Sequence, residues 1–367
     1  MTKEVWTVQR MLDWSKKFLE EQGLDSPALD AQILLGHVLK MSRMQMILDA
    51  ARPMSDDELA CYKSILKKRV NERQPVAYIL GKKAFWSLDL DVTPDVLIPR
   101  PDTECLVEQA QAFMRAKMAG KSVSKASEGL IYEAIDAREA YYQAVAEVEQ
   151  SWQMAELESG LDEMPDDKNT VGRDECVENA NILCDNVECS ENNVLLEEDR
   201  KYRIVDVGTG SGAIALALRS ELPESCEVLA VDISEAALVV ARRNAEQNGL
   251  SVSFGLSDLL ASCEGMFDLI VSNPPYITTD EMLTLDPEVK NEPKLALEAG
   301  VDGLDVYRRL IPQAFDKLSS GGGLFVEIGC SQGEVVSALF RQAGFVDVQV
   351  YRDYGRNPRV VSGVKAE

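Results

Sequence analysis

A glycine-rich turn between a strand-like and a helix-like segment constrains the fold of this chain more than any other feature. The turn reads Asp206-Val207-Gly208-Thr209-Gly210-Ser211-Gly212, follows the apolar pair Ile204-Val205 and precedes the alanine-rich apolar run 213–218. A strand, a tight glycine turn and a helix N-terminus form the first βα unit of a dinucleotide-type fold. Glycines let the backbone approach a ligand closely, and the N–H groups of such a turn face it. We therefore predict an α/β domain with a ligand site here.

A second strand-like segment ends in an acidic residue about twenty residues farther along the chain. It reads Val228-Leu229-Ala230-Val231-Asp232, which puts Asp232 where such folds bind the hydroxyls of a ribose. NAD, FAD and S-adenosylmethionine all contain such a ribose. The glycine spacing is Gly-x-Gly-x-Gly rather than Gly-x-Gly-x-x-Gly, and nothing downstream indicates hydride chemistry. The turn alone therefore leaves the cofactor open.

The tetrapeptide Asn273-Pro274-Pro275-Tyr276 directly follows the strand-like run 267–272. The side-chain oxygen of Asn273 and the main-chain carbonyl of Pro274 can each accept one N–H of an –NH2 group. Because proline restricts φ, both acceptors would be held ready, and the gripped nitrogen would turn its lone pair toward an electrophilic methyl group. Tyr276 could stack on the planar group. This predicts S-adenosylmethionine as cofactor and methylation of an amide or amine nitrogen; a plain strand end with a Pro-Pro turn is the structural alternative.

Three motifs together resemble the bacterial release factor glutamine methyltransferases. They are the glycine turn, the Asn-Pro-Pro-Tyr tetrapeptide and, upstream, Leu97-Ile98-Pro99-Arg100-Pro101-Asp102-Thr103-Glu104. Further matches lie at 73–81, 292–293, 303–304 and 322–329, so the resemblance covers nearly the whole chain apart from one segment. It implies transfer of a methyl group to the side-chain amide nitrogen (N5) of the glutamine in the Gly-Gly-Gln loop of peptide chain release factors. The upstream motif resembles the release-factor branch, since relatives that act on a ribosomal protein typically have serine after the arginine.

The resemblance also implies roles for individual residues. Cofactor contacts are expected from Gly208, Thr209, Gly210, Ser211, Gly212, Asp232 and Asn273, and contacts with the glutamine from Asn273, Pro274, Pro275 and Tyr276. Asn273, Pro274 and Tyr276 are the expected catalytic residues. One position departs from the family, because many members have an aromatic residue against the adenine where this chain has Leu259. We expect Leu259 to form an aliphatic wall there, with Asp258 near the adenine edge.

The segment Pro99–Glu104 permits two interpretations. Arg100 and Glu104 could shape the cofactor lid or the mouth of the site beside a rigid proline turn. The segment could also be a helix start that is capped by the side chain of Asp102 or Thr103. The two interpretations are compatible.

The expected fold class is α/β, a Rossmann-like class I methyltransferase with a seven-stranded, mostly parallel sheet, plus a small N-terminal helical bundle. Apolar residues at helical spacing predict the bundle over residues 1–83, which the resemblance implies helps to hold the release factor. Alternating apolar residues predict a β-hairpin linker over 84–98. Residues 99–367 then form the methyltransferase domain, with the final hairpin as its antiparallel edge.

An acidic insertion interrupts this domain at about 117–200. Residues 121–200 contain 21 acidic and six basic side chains and so hold −15 of the net charge of −24. Residues 131–161 could form an amphipathic helix or helical hairpin, and 162–199 have the composition of a disordered segment. The insertion could steer a basic partner, or it could be a tolerated surface segment without function.

Charge bears on the other functions that the tetrapeptide permits. Enzymes that methylate exocyclic amines of adenine or guanine also use Asn-Pro-Pro-Tyr, but a pI near 4.5 disfavours a polyanionic substrate. Methylation of a nucleic acid amine or of a ribosomal protein glutamine stays open as an alternative. A cofactor-binding scaffold without activity would need a damaged tetrapeptide, and this one is intact.

The remaining composition predicts a protein without metal or membrane segments. Eight scattered cysteines form no Cys-x-x-Cys pair, and His37 lies in an apolar helical run, which indicates reduced thiols and a core histidine. The sequence has neither an apolar run near the roughly 20 residues that span a bilayer nor a signal-peptide pattern. We expect a cytoplasmic monomer that contacts no membrane.

Overall fold

The computed structural model of this protein describes residues 5–120 and 201–367. The described chain consists of N-terminal helices, a two-stranded hairpin and an α/β part built on a seven-stranded sheet. The predicted helical segment 131–161 and the predicted disordered segment 162–199 lie outside the described residues.

Helices make up the first part of the described chain. They are α1 (Val8–Glu21), α2 (Pro27–Leu39), α3 (Arg43–Leu48), α4 (Asp56–Asn71) and α5 (Val76–Leu80). Ser42 and Ser55 begin α3 and α4 with capping boxes, in which the serine hydroxyl and the residue three positions on satisfy each other's main-chain N–H groups. Leu34, Leu35 and Tyr62 are fully buried in the core that these helices share. The predicted N-terminal helical bundle is confirmed.

The hairpin and the α/β part follow in sequence. Strands β1 (Lys82–Phe85) and β2 (Leu88–Asp91) pair antiparallel, two residues earlier than the predicted linker begins. The remaining elements are α6 (Glu104–Met118), β3 (Tyr202–Val207), α7 (Ala213–Glu221), β4 (Cys226–Asp232), α8 (Glu235–Gln247), β5 (Ser253–Leu256), β6 (Phe267–Ser272), α9 (Glu281–Thr284), α10 (Asp305–Lys317), β7 (Leu318–Glu327), α11 (Gly333–Gln342), β8 (Val346–Arg352) and β9 (Pro358–Val364). The domain boundaries given above stay a prediction.

The large sheet has the strand order β5-β4-β3-β6-β7-β9-β8. Strand β9 is antiparallel to both of its neighbours, and the other pairs are parallel. The predicted seven-stranded, mostly parallel sheet is therefore confirmed. The final hairpin does lie at the edge, but its antiparallel strand β9 is the inner one and β8 is outermost. The order reverses between β3 and β6, the switch point at which such sheets bind ligands.

Two apolar layers cover the sheet. Leu106 and Met114 of α6 and Leu216 of α7 are fully buried in one layer. Tyr307 of α10 and Phe340 of α11 are fully buried in the other. Strand β6 is buried at every position, as expected for a central parallel strand covered on both faces. No helix in residues 5–120 or 201–367 is long and apolar enough to cross a membrane.

A buried ion pair joins the helices to the α/β part. Nε of Arg69 in α4 lies 2.7 Å from a carboxylate oxygen of Asp30 in α2, and both side chains are less than a tenth exposed. The same guanidinium lies 2.8 Å from Glu288, in the segment after α9. One arginine therefore neutralises a buried acid of the bundle and contacts the α/β part.

Replacing Arg69 should destabilise the helical part strongly. Arg69→Met leaves Asp30 buried without its partner, for which we expect a loss of about 3–5 kcal/mol. Native-state hydrogen exchange of the α2 and α4 amides would measure this loss. The matched control is Lys294→Met. Lys294 is largely exposed, and its ion pair with Glu298 should contribute less than about 1 kcal/mol. Equal effects of the two variants would contradict the importance of the buried pair.

Candidate active site

The carboxyl ends of β3, β4 and β6 meet at one cavity of about 220 Å³. Its lining includes four expected cofactor residues of the turn, Gly208 to Ser211, but not Gly212, together with Asp232, Leu259, Asn273 and Pro275. Four residues of the upstream motif also line it, namely Leu97, Pro99, Arg100 and Thr103. The fold thus brings together three sequence motifs that are far apart in the chain.

Glycine is needed at the positions of this turn for two different physical reasons. Gly208, Gly210 and Gly212 all have positive φ, at 73°, 55° and 85°. A Cβ at Gly208 or Gly210 would meet no protein atom within 4 Å, so open space lies beside the backbone there. A Cβ at Gly212 would lie 3.3 Å from that of Ala241, so this glycine allows the close packing of α7 on α8. Gly208 and Gly210 leave room for a ligand.

Asp206 holds the turn from below. Its Oδ2 accepts hydrogen bonds from the Thr209 hydroxyl at 2.6 Å and from the Ala215 main chain at 3.1 Å. Its Oδ1 is buried and has no hydrogen-bond partner. Burial raises the pKa of Asp206 to about 7, although these two hydrogen bonds oppose the rise. Because the side chains of Thr209 and Ser211 are also buried, the turn presents main chain rather than side chains to the cavity.

Asp232 ties the turn to the start of α8. One carboxylate oxygen accepts from the main-chain N–H of Gly210 at 2.9 Å, and the other accepts from that of Ser234 at 2.8 Å. A carboxylate offers about four acceptor positions, so each oxygen retains capacity for a further donor. Asp232 lines the cavity and could accept hydroxyl groups there.

Leu259 lines the cavity in an unusual backbone conformation. Its φ of 53° is uncommon for a bulky residue and is a conformation that clusters at functional sites. The neighbouring Asp258 also lines the cavity, and its carboxylate lies 2.6 Å from Arg309 of α10, another lining residue. Leu259 is thus positioned as an apolar wall, while Asp258 forms an ion pair at the rim.

The tetrapeptide presents part of its surface to the cavity. Asn273 and Pro275 are lining residues, whereas Pro274 is buried and Tyr276 is half-buried behind them. The Tyr276 carbonyl accepts from the Gln332 side chain at 3.1 Å. Burial raises the pKa of the Tyr276 hydroxyl to about 12, so the phenol stays protonated at neutral pH. A stacking or packing role suits this ring better than a role as base.

The upstream motif does not cap α6 in the predicted way. The segment does begin α6, with Thr103 at the N-cap position, but no side-chain hydrogen bond caps the helix, so only the capping part of that interpretation is wrong. The Thr103 hydroxyl instead accepts from the Asn273 side-chain nitrogen at 3.2 Å, and Asp102 pairs with Arg359. Glu104 accepts from the main-chain N–H of Trp86 at 2.9 Å, which ties the start of α6 to the hairpin.

Arg100 lies at the mouth of the cavity and is already paired. Its guanidinium binds Glu292, whose second oxygen accepts from the main-chain N–H of Ile98 at 3.0 Å. The buried Glu292 carboxylate therefore shapes the 98–100 segment. The charge of Arg100 is neutralised locally.

The histidine prediction is wrong. His37 is exposed, because the buried residues of α2 (Ala31, Leu34, Leu35 and Leu39) lie on the opposite side of the helix. Within residues 5–120 and 201–367 no group of three or more His, Cys, Asp or Glu is placed to hold a metal. The described cysteines are free thiols.

Comparison with known proteins identifies the family. The profile of the PrmC N-terminal domain matches residues 10–81, and that of the methyltransferase small domain matches 193–289. The chain is 32% identical to the release factor glutamine methyltransferase of Geobacter sulfurreducens over 362 residues, which is 98% of this chain and 97% of that protein. It is 33% identical to the Escherichia coli protein of the same name over 95% of this chain and 97% of that protein.

This chain belongs to the release factor glutamine methyltransferase family. The resemblance drawn from the three motifs is thereby confirmed. Sequence reasoning missed two buried carboxylates in this family member, Asp206 beneath the glycine turn and Glu327 behind Asn273. Each is an acid at the carboxyl end of an apolar strand-like run, 204–205 and 324–326, and that signal could have marked both.

Asp206 should make stability depend on pH. Because its pKa is raised in the folded protein, its stabilising contribution is present at low pH and is lost as pH rises through about 7. Asp206→Asn retains an acceptor for Thr209 and Ala215 but cannot ionise. We expect the variant to gain stability relative to the parent as pH rises from the ordinary aspartate pKa of about 4 to about 7, visible as a melting temperature that falls less steeply. Asp258→Asn, an exposed acid at the rim, is the control, and parallel curves for Asp206→Asn and the parent would contradict the assignment.

Proposed function

We propose that this protein transfers a methyl group from S-adenosylmethionine to the side-chain amide nitrogen (N5) of the glutamine in the Gly-Gly-Gln loop of peptide chain release factors. Membership of the family supports the reaction and the substrate, since the relatives above are named for it. The observation that carries the proposal is the meeting of the glycine turn and Asn273 at one cavity. Cofactor and amide would therefore meet at the switch point of the sheet.

The residues around the turn fit S-adenosylmethionine. Gly208 and Gly210 leave open space beside the backbone, as a close ligand contact requires. Their own N–H groups donate to the Val231 carbonyl and to the Asp232 carboxylate, so these glycines provide room rather than free donors. Asp232 retains acceptor capacity for the two ribose hydroxyls, and Leu259 offers an apolar surface to the adenine. The bound cofactor supplies an electrophilic methyl group. The lining is net acidic, with Asp95, Asp232 and Asp258 against Arg100 and Arg309, which suits the positive charge of the cofactor.

Asn273 and Pro274 would hold the amide to be methylated. The Asn273 side-chain oxygen and the Pro274 carbonyl would each accept one N–H of the glutamine, which directs the nitrogen lone pair at the methyl group. The nitrogen would gain the methyl group as the bond from that methyl to the sulfonium sulfur breaks and its electron pair stays on sulfur. One N–H proton would then leave to water. Pro275 and the half-buried Tyr276 would border the planar amide and exclude solvent from it.

No part of this arrangement requires a general base. Tyr276 keeps its proton at neutral pH, and Glu104 is occupied by the Trp86 main chain. Orientation and desolvation would supply most of the rate acceleration. The cytoplasmic location, the monomeric state and a substrate-holding role for the N-terminal helices remain predictions.

Transfer of labelled methyl to a purified release factor tests the proposed function. We expect label on the release factor and none on its Gly-Gly-Gln variant with Gln→Ala. A duplex DNA and a ribosomal protein fraction serve as alternative substrates in the same assay. Label on DNA alone would overturn the proposal. Label on a ribosomal protein alone would also overturn the proposed substrate, while leaving glutamine methylation as the reaction.

Asn273→Ala should separate catalysis from cofactor binding. The variant loses one acceptor for the substrate, so we expect turnover to fall about a hundredfold or more. Cofactor affinity, measured by calorimetry, should stay within about tenfold of the parent. Asn248→Ala, which removes an amide outside the cavity, is the control. Parental turnover in Asn273→Ala would refute the proposed grip.

Asp232→Ala should have the opposite pattern. It removes the acceptor for the ribose and the tie between Gly210 and Ser234, so cofactor affinity should fall about ten- to a hundredfold. Turnover at saturating cofactor should change much less. A variant that binds cofactor normally and turns over slowly would count against this assignment.

A further inference from the structure

A buried carboxylate lies directly behind the tetrapeptide. Strands β6 and β7 are parallel neighbours with Ser272 opposite Val326, so Asn273, just past the end of β6, lies beside Glu327, the last residue of β7. Glu327 is 1% exposed, and the proposed reaction has no use for it so far. Its main chain is held rigidly, because its carbonyl accepts from the Tyr307 hydroxyl at 2.7 Å and its strand pairs with β9.

Thr103 and Asn273 form a hydrogen-bonded group with this carboxylate. The Asn273 side-chain nitrogen donates to the Thr103 hydroxyl oxygen at 3.2 Å. Hydrogen bonding from both Thr103 and Asn273 lowers the pKa of Glu327 against the effect of burial. The Thr103 hydroxyl is buried and does not cap α6, so its bonding capacity is spent on this group.

When the Glu327 carboxylate is ionised, it fixes which atoms donate and which accept in the hydrogen bonds among Thr103, Asn273 and Glu327. It can only accept hydrogen bonds, so the Thr103 hydroxyl must donate to it and offer its lone pairs to Asn273. Asn273 then has to present its –NH2 end to Thr103 and Glu327. A side-chain amide has its acceptor at the opposite end, so its oxygen points away from the buried acid.

We propose that Glu327, acting through Thr103, is a positioning residue that turns the side-chain oxygen of Asn273 toward the substrate amide. This inference rests on the proposed function and deepens it. Without an acceptor behind it, the Asn273 amide has no fixed choice between two orientations that differ by half a turn, because the terminal torsion of an asparagine is broad and roughly two-fold. It would then meet the substrate –NH2 group with its own –NH2 group, and two donors cannot form the grip.

The charge state of Glu327 therefore controls the donor-to-acceptor direction of these hydrogen bonds and, with it, the orientation of the Asn273 amide. Ionisable groups face it from several elements: Arg359 of β9, Asp102 and Cys105 beside Thr103, Tyr276 of the tetrapeptide and Tyr307 of α10. Arg359 favours ionisation but also pairs with Asp102 and Asp353. Burial prevails and raises the pKa of Glu327 to about 7, and its Oε2 has no hydrogen-bond partner. A protonated Glu327 becomes a donor and can reverse the bonding of Asn273.

The first test is the pH profile of methyl transfer in Glu327→Gln. The parent should lose kcat/KM as pH falls through about 7, because the group loses its direction. Glutamine can donate at every pH, so we expect turnover to fall about 10- to 100-fold, by analogy with the hydrogen-bond partners that orient metal ligands. The dependence on pH near 7 should disappear, while cofactor affinity by calorimetry stays within about threefold of the parent.

Three variants separate positioning from a structural role. Glu327→Asp retains an acceptor-only group and should recover part of the turnover and the pH dependence. Thr103→Ser keeps the hydroxyl and should recover the turnover that Thr103→Val loses. Thr103→Val should show the loss of turnover expected of Glu327→Gln, and it tests the inference even if Glu327→Gln folds poorly. Tyr62→Phe, which removes one buried tyrosine hydroxyl from the core of the helical part, is the matched control. Parental turnover and an unchanged pH profile in both Glu327→Gln and Thr103→Val would overturn the inference.

A spectroscopic readout keeps the inference separate from the proposed function. The side-chain ¹⁵NH2 signal of Asn273, assigned by its absence in Asn273→Asp, should be protected from solvent exchange in the parent above pH 7. It should lose that protection at lower pH and in Glu327→Gln. If no release factor is methylated, the proposed function fails, while this signal still tests the orientation of Asn273. A signal that is indifferent to pH and to both variants would overturn the inference alone.

Discussion

The parallel pairing of β3 with β6 is the contact on which the rest of the candidate site depends. Asp206 lies opposite Val271 and Val207 opposite Ser272, so both strands end at the same level. The Ser272 hydroxyl donates to the Val207 carbonyl at 2.7 Å and joins the two ends. Because of this register, the glycine turn and the tetrapeptide open into one cavity. A shift by one residue would reverse every side chain of β6.

Buried acids support the site from beneath at some cost in stability. Asp206 holds the turn, and Glu327 stands behind the tetrapeptide; each has an unpartnered oxygen and a pKa near 7. A buried charge without full hydrogen bonding opposes folding. Strained or poorly satisfied groups collect at functional sites, where orientation matters more than stability. These two acids fit that pattern, because each bonds to a segment that lines the cavity.

The helical part is joined to the α/β part by polar contacts. Arg69 pairs with Asp30 in the bundle and with Glu288 across the junction, and Asn291 donates to the carbonyls of Glu72 and Arg73. The segment that makes these contacts follows the tetrapeptide in the chain. Its buried Glu292 in turn holds Arg100 at the mouth of the cavity. The same short segment thus contacts the bundle, the upstream motif and the rim of the site.

Short stretches of the sequence were sufficient to predict the fold class, the family and the N-terminal helices. Three motifs are recognisable from a few adjacent residues each: the glycine turn, the acid at the end of the second strand and the tetrapeptide. Together they identified the fold class and the family. Helical periodicity likewise identified the N-terminal helices. These features depend on backbone geometry and on the spacing of apolar side chains, which the chain encodes locally.

Tertiary structure decided the features that depend on strand order and side-chain direction. Asn273, Thr103 and Glu327 meet because β6 lies beside β7 and the α6 start packs over both, and no local pattern encodes that neighbourhood. The position of β9 inside β8 and the exposure of His37 follow from packing in the same way. The sequence by itself determined which motifs this protein carries. Only the fold decided which buried partners orient them, because hydrogen bonds between residues 170 positions apart require the assembled sheet.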